Sequence, residues 1–148
     1  MFPNSQSGAS AYASVGVTTG IMGASQHKIV AMLYEGARRA IAQARMHLHA
    51  GNVGPRGEAI SKAMRIVEGG LMASLNMEAG GDYAQRLYAL YKYIVRRLLE
   101  ANIKKSEDML IEVDGLLATL EKAWLSVAAE AERMASGQAG QGSRPQMR

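Results

Sequence analysis

The chain has 148 residues, of which 48% are hydrophobic and 5% aromatic, and it contains no cysteine. This length and apolar content predict one domain with its own core, while the lack of cysteine excludes disulfides, thiolate nucleophiles and cysteine-based metal sites. The formal net charge is +4, and because acidic residues are interleaved with the basic ones, solvated helix faces are favoured over a nucleic-acid-binding surface.

The first 24 residues are poor in charge and rich in small side chains, with a few apolar anchors that include Tyr12 and Val15. Such a composition buries little surface by itself, so we expect residues 1–24 to be a mobile or loosely docked cap segment. They lack the basic start and the apolar stretch of a secretory signal, and the chain has no run of 18 apolar residues. We therefore expect a cytoplasmic protein without membrane insertion.

A first helix is predicted from Ser25, a good N-cap residue, to about Ala50. Its apolar positions span roughly 160° of the helix surface, more than the roughly 100° that a bundle helix needs to bury. Gly36 lies within this helix. Because glycine weakens a helix, its presence suggests the close approach of a neighbouring element.

A second helix is predicted from Pro55 to about Leu75, since proline is accepted in the first turn of a helix. Gly69 and Gly70 lie inside it, and they either permit tight packing or mark a local weakness. The polar and glycine-containing stretch 76–81 predicts a loop before the next helix.

The third helix, which ends near Asn102, has the widest apolar surface in the chain, since Val95 and Leu99 extend its central stripe. Another chain is one explanation for this excess, and a deeply buried bundle helix is the other. The fourth helix is predicted to start after Ser106, to bury a narrower stripe that includes Trp124 in the core, and to fade near Ser136. The remaining residues, 137–148, have the composition of a disordered tail.

Four helices joined by short loops predict an all-α fold, an antiparallel up-down four-helix bundle over residues 25–136. The sequence shows no residue pattern that is typical of a metal site or of a catalytic site. His27, His47 and His49 do not form a ligand pair on one helix face, and no phosphate-binding loop or buried pair of carboxylates is indicated. We expect neither an enzyme nor a bound metal or cofactor.

Four sequence patches, in this order and spacing, resemble the FliS family of flagellar secretion chaperones. The first two are AYASV at residues 11–15 and ASQHKIVAMLYEGA at residues 24–37. The third combines Gly80-Gly81 with RRLLEAN at residues 96–102, and the fourth combines Glu112-Val113 with Trp124. The resemblance covers about residues 9–127. Gln26 stands where the family usually has proline, a change that a helix start tolerates.

The resemblance implies a cytosolic protein that binds the disordered C-terminal segment of flagellin, prevents its premature polymerisation and delivers it to the flagellar type III export gate. An apolar groove on helices 1 to 3 is then the expected client site. The candidate residues for it are Leu33, Tyr34, Ile41, Leu87, Tyr91, Val95 and Leu98. The resemblance also implies a contact with the export-gate subunit FlhA through Tyr12 and Val15, which we expect to lie over the groove in the free protein.

Two alternatives remain open from the residues alone. One is a helical adaptor or regulatory bundle that binds a different partner protein. The other is a basic nucleic-acid binder that uses the arginine-rich faces of helices 1 and 3, whose affinity would fall steeply with salt. The spare apolar surface also permits a homodimer.

Overall fold

The computed structural model describes the backbone of residues 25–143 and the side chains of residues 26–127 and 129–137. The helices over this range are α1 (Ser25–Ala50), α2 (Val53–Arg65), the π-helix Ile66–Met72 that continues α2, α3 (Met77–Lys104) and α4 (Glu107–Ser143). Both α1 and α3 pack against α2 and against α4. Short connections between neighbours of this kind produce an up-down antiparallel bundle, which confirms the predicted fold class.

Two of the helix starts are fixed by side-chain caps. The Ser106 hydroxyl accepts a hydrogen bond from the Met109 amide at 3.2 Å, as the sequence predicts for the start of α4. The Asn76 side chain accepts one from the Ala79 amide at 3.0 Å at the start of α3. These bonds satisfy amides that have no partner within the helix.

The structure differs from the prediction at two helix boundaries. The stretch 76–81, predicted as a loop, is one helical turn followed by a break at Gly81, where φ is 55° and ψ is −134°. A residue with a side chain rarely adopts this conformation, so glycine is required there. The end of α4, predicted near Ser136, lies at Ser143. Residues 1–24 and 144–148, with Tyr12 and Val15 among them, are outside the described residues.

The second helix also changes type along its length, which its apolar periodicity does not predict. From Ile66 to Met72 the backbone is a π-helix, and this segment contains both glycines. A β-carbon on Gly70 would lie 2.7 Å from Cδ2 of Leu33, whereas one on Gly69 would meet nothing within 4 Å. Gly70 therefore permits tight packing of this segment on α1, and Gly69 has no such role.

Most of the core lies toward the end of the bundle that contains the α1–α2 and α3–α4 connections. Its largest fully buried side chains are Leu33, Ile41, Ile60, Val67, Leu71, Ile94, Leu98, Leu110, Val113 and Leu117. Trp124, predicted to be a core residue, is only partly buried and packs against the edge of this cluster. The reason is its position, since it faces the first turn of α1, where its indole nitrogen donates a hydrogen bond to the His27 carbonyl at 2.9 Å.

We expect Gly70→Ala to lower the free energy of unfolding by about 1–3 kcal/mol, because an added methyl group cannot fit against the buried Leu33 without displacing it. Gly69→Ala is the matched control. It should leave stability unchanged or raise it by up to about 1 kcal/mol, because the unfolded chain loses freedom and no contact is disturbed. Urea unfolding of the three proteins measures both effects, and equal stability of Gly70→Ala and wild type would show that the close packing is not needed.

Candidate functional site

An apolar groove of about 290 Å³ opens at the end of the bundle opposite to most of the core. Residues of α1, the π-helix, α3 and α4 contribute to it. The lining residues are Gln26, Val30 and Tyr34 of α1, Leu71 of the π-helix with Ser74 and Leu75 after it, Tyr83, Leu87 and Tyr91 of α3, and Leu120, Ala123, Trp124 and Val127 of α4. A concave, mostly apolar site with a few polar groups is the usual form of a binding pocket.

The floor of the groove is a hydrogen bond between two tyrosines of diagonally placed helices. The hydroxyls of Tyr34 and Tyr91 are 2.5 Å apart, and both side chains are almost completely buried. Burial raises the pKa of both phenols above the ordinary value. Both are therefore neutral hydrogen-bonding groups at the base of an apolar surface.

One wall of the groove is formed by the only tryptophan of the chain. The Trp124 ring stacks on the His27 ring with 5.0 Å between centroids and 28° between planes. Together with the hydrogen bond from the indole nitrogen, this contact holds a large flat apolar surface at the groove edge. Val127, one turn further along α4, is 56% exposed, so the apolar surface continues beyond the wall.

Ion pairs fix α4 beside α1 below this wall. Arg38 reaches Asp114 at 2.9 Å and Glu121 at 2.8 Å, and Arg45 reaches Glu107 at 2.8 Å. The two acids raise the pKa of the Arg38 guanidinium, which stays charged. Since each of these side chains remains partly solvated, the pairs contribute to the orientation of α4 more than to stability.

A similar contact joins α3 to α4 on the other side. Glu112 accepts hydrogen bonds from the Tyr93 hydroxyl at 2.5 Å and from Arg97 at 2.8 Å. These two donors, Tyr93 first, hold the pKa of Glu112 below its ordinary value. Arg38, Arg45 and Arg97, which belong to the basic faces considered above for nucleic acid, are thus paired with acids inside the molecule.

Within the described part of the chain, no group of histidines and acids is arranged to hold a metal ion. None of the helices between residues 25 and 143 combines the length and the apolar character that crossing a membrane requires.

Comparison with known proteins assigns the family. The sequence profile of the family described as Flagellar protein FliS matches residues 8–131. The protein of Salmonella typhimurium named Flagellar secretion chaperone FliS is 43% identical over 125 residues, which cover 84% of this chain and 93% of that protein. The chain belongs to the FliS family. Relatives of the same name in Escherichia coli, 39% identical over 79% of this chain and 86% of theirs, and in Vibrio cholerae, 34% identical over 88% and 95%, agree with this assignment.

The seven predicted client-binding residues of this FliS family member do not lie on one surface. Leu33, Ile41 and Leu98 are at most 2% exposed, belong to the core and do not line the groove. The remaining four divide into two groups. Tyr34, Leu87 and Tyr91 line the groove, whereas Val95 does not.

Val95 lines a separate shallow depression between α3 and the π-helix. Its other lining residues are Glu68, Met72, Lys92, Arg96 and Leu99. The wide apolar surface of α3 therefore does not face the groove over its whole length, since Val95 and Leu99 line this depression instead. A residue at the flank of a helical stripe faces the next element around the bundle, which here is the π-helix.

Sequence reasoning missed the contribution of α4 to the groove. Leu120, Trp124 and Val127 continue the spacing of the buried Val113 and Leu117, so periodicity predicts one buried stripe for all of them. The available signal was length. The apolar stripe of α4 continues for more turns than the first turns of α1 can cover, so its last members are left at the edge of the core.

Proposed function

We propose that the chain is a cytoplasmic flagellar secretion chaperone that binds the C-terminal segment of flagellin, prevents premature polymerisation and delivers the segment to the flagellar export gate. Membership of the FliS family supports the chaperone function. The main support for the binding site is the apolar groove, which is lined by residues of α1, the π-helix, α3 and α4.

The client segment needs an apolar surface to bind. A segment that is disordered before binding must recover its ordering entropy by burying apolar surface. The groove supplies such surface in preformed shape, with Leu87 and Trp124 in its lining and the buried Tyr34 and Tyr91 at its floor. An amphipathic client segment laid into it hides the apolar residues by which flagellin subunits would otherwise associate.

A matched pair of substitutions on α3 tests the location. Leu87 lines the groove, Val95 lies outside it, and both side chains are partly buried. We expect Leu87→Asp to remain folded and to lower the affinity for a flagellin C-terminal peptide by more than about tenfold, because a carboxylate would be desolvated against an apolar client. Val95→Asp should bind with less than about a threefold change, a difference of well under 1 kcal/mol.

Calorimetric titration measures both affinities, and thermal melting shows whether each variant is folded. Equal loss of binding by two folded variants would mean that the client covers both the groove and the depression that Val95 lines. Wild-type affinity in a folded Leu87→Asp variant would remove the groove from the client site.

The contact with the export gate is proposed through Tyr12 and Val15. Because both residues precede Ser25, the structure does not describe them, and the family resemblance is the support. The segment that carries them enters α1 at Ser25, next to Gln26 and Val30 on the groove. We propose that the segment covers the groove in the free protein and leaves it when a client binds, so that Tyr12 becomes available to FlhA in the loaded complex.

We expect Tyr12→Ala to keep the melting temperature and the flagellin affinity of the wild type, because the residue leaves the groove when client binds. The loaded variant should lose its binding to immobilised FlhA, whereas Ser14→Ala, a change in the same segment, should retain it. Equal FlhA binding by loaded Tyr12→Ala and wild type would contradict the contact. A marked fall in melting temperature would instead make Tyr12 a fixed packing residue.

A further inference from the structure

The floor of the groove carries a pair of buried hydroxyls within a mostly apolar lining. Tyr34 and Tyr91 are hydrogen bonded to each other at 2.5 Å, and both line the groove. Removing them would leave a smooth apolar floor without opening the core, because phenylalanine has nearly the same shape. The hydroxyls are thus an addition to the apolar surface and need a separate explanation.

Two other donors beside the floor of the groove are already used, whereas Gln26 and Tyr83, which also line the groove, are exposed to solvent. The Ser74 hydroxyl donates to the Gly70 carbonyl at 2.7 Å, and the Trp124 indole donates to the His27 carbonyl at 2.9 Å. Neither has another hydrogen on a polar atom to offer a ligand. The tyrosine pair differs from both of them.

Two hydroxyls have two hydrogens, and the bond between Tyr34 and Tyr91 uses one. Among the described residues, neither hydroxyl has any other hydrogen-bond partner. One O–H group, together with free lone pairs, therefore remains for whatever occupies the groove that both residues line. A buried hydroxyl left without an acceptor would be costly, so a bound client is expected to supply one.

The surroundings determine the kind of acceptor. Burial raises the pKa of both phenols, so the pair stays uncharged and donates a hydrogen at neutral pH. A client carboxylate at the floor would need a cation, but the guanidinium of Arg38 is already engaged by Asp114 and Glu121. An uncharged side chain of asparagine, glutamine, serine or threonine meets the requirement without burying a charge.

We propose that the Tyr34–Tyr91 hydroxyl pair fixes the register of the client by hydrogen bonding to one uncharged polar side chain on the client's apolar face. The inference rests on the proposed function, since it takes the groove to be the client site. An apolar groove alone accepts a regular apolar stripe in several registers. A single buried polar contact favours one register over all others, because every shifted register leaves the hydroxyl and the client's polar group unpaired.

The test is a scan of the flagellin C-terminal segment against wild type and the Tyr34→Phe/Tyr91→Phe double variant. Each asparagine, glutamine, serine and threonine of the segment is replaced singly by leucine, methionine, alanine and valine, respectively, and affinities are measured by calorimetry. For wild type, one position should stand out with an affinity loss of about tenfold, as expected when a buried hydroxyl loses its partner. In the double variant the loss at that position should shrink to less than about twofold.

The double variant should fold, because replacing both partners of a buried hydrogen bond by apolar groups of the same shape is nearly neutral. If it does not, the tyrosine Raman doublet of the wild type supplies the comparison. Its intensity ratio, which reports hydroxyl hydrogen bonding, should differ between complexes with the unsubstituted segment and with the segment changed at the selected position.

Four results would contradict these proposals. A wild-type profile without an outstanding position, or the same outstanding position in the double variant, would overturn the register function. Identical Raman ratios in the two complexes would do the same. Failure of the wild type to bind even the unsubstituted segment would instead overturn the proposed function, and the inference with it.

Discussion

The hydrogen bond between Tyr34 and Tyr91 joins the diagonal helices α1 and α3, and it lies where the closed core gives way to the groove. On one side of it along the chain, α1 continues with the buried Ala37 and Ile41, and α3 with Ile94 and Leu98. On the other side lie the groove residues of the same two helices. A diagonal contact of this kind closes the bundle at one level, so the apolar residues beyond it face an open space. The groove is therefore the continuation of the core past its last closed layer.

The surrounding elements keep that space open at a defined width. Gly81 breaks α3 after its first turn, and the π-helix brings Leu71 to the groove while Gly70 allows close packing on Leu33. Because π-helical turns are uncommon and often occur at functional sites, this segment is consistent with a wall shaped for binding. The arginine contacts of α4 hold the opposite wall in position.

The fold was predictable from sequence, and the position of the groove was predictable only in part. Helical periodicity identifies which residues of α1 and α3 face inward, but it does not show which of them are closed into the core and which line the groove. Leu33, Ile41 and Leu98 face inward like Tyr34 and Tyr91, yet the first three do not reach the groove and the last two line it. The break at Gly81 and the π-helix have no periodic signal, because each depends on backbone geometry. Trp124 was predicted to be a core residue because it continues a stripe of buried residues on α4. It is only partly buried, because it lies beside the first turn of α1, at the edge of the core.

The central claim is that the client enters the groove above the tyrosine pair. Trp124, the single tryptophan of the chain, lines that groove, so its fluorescence reports on the site without any label. A flagellin C-terminal segment made without tryptophan should shift the Trp124 emission to shorter wavelength and saturate at the concentration found by calorimetry, because the client replaces water at the indole. Binding detected by calorimetry with no change in Trp124 emission would contradict the account.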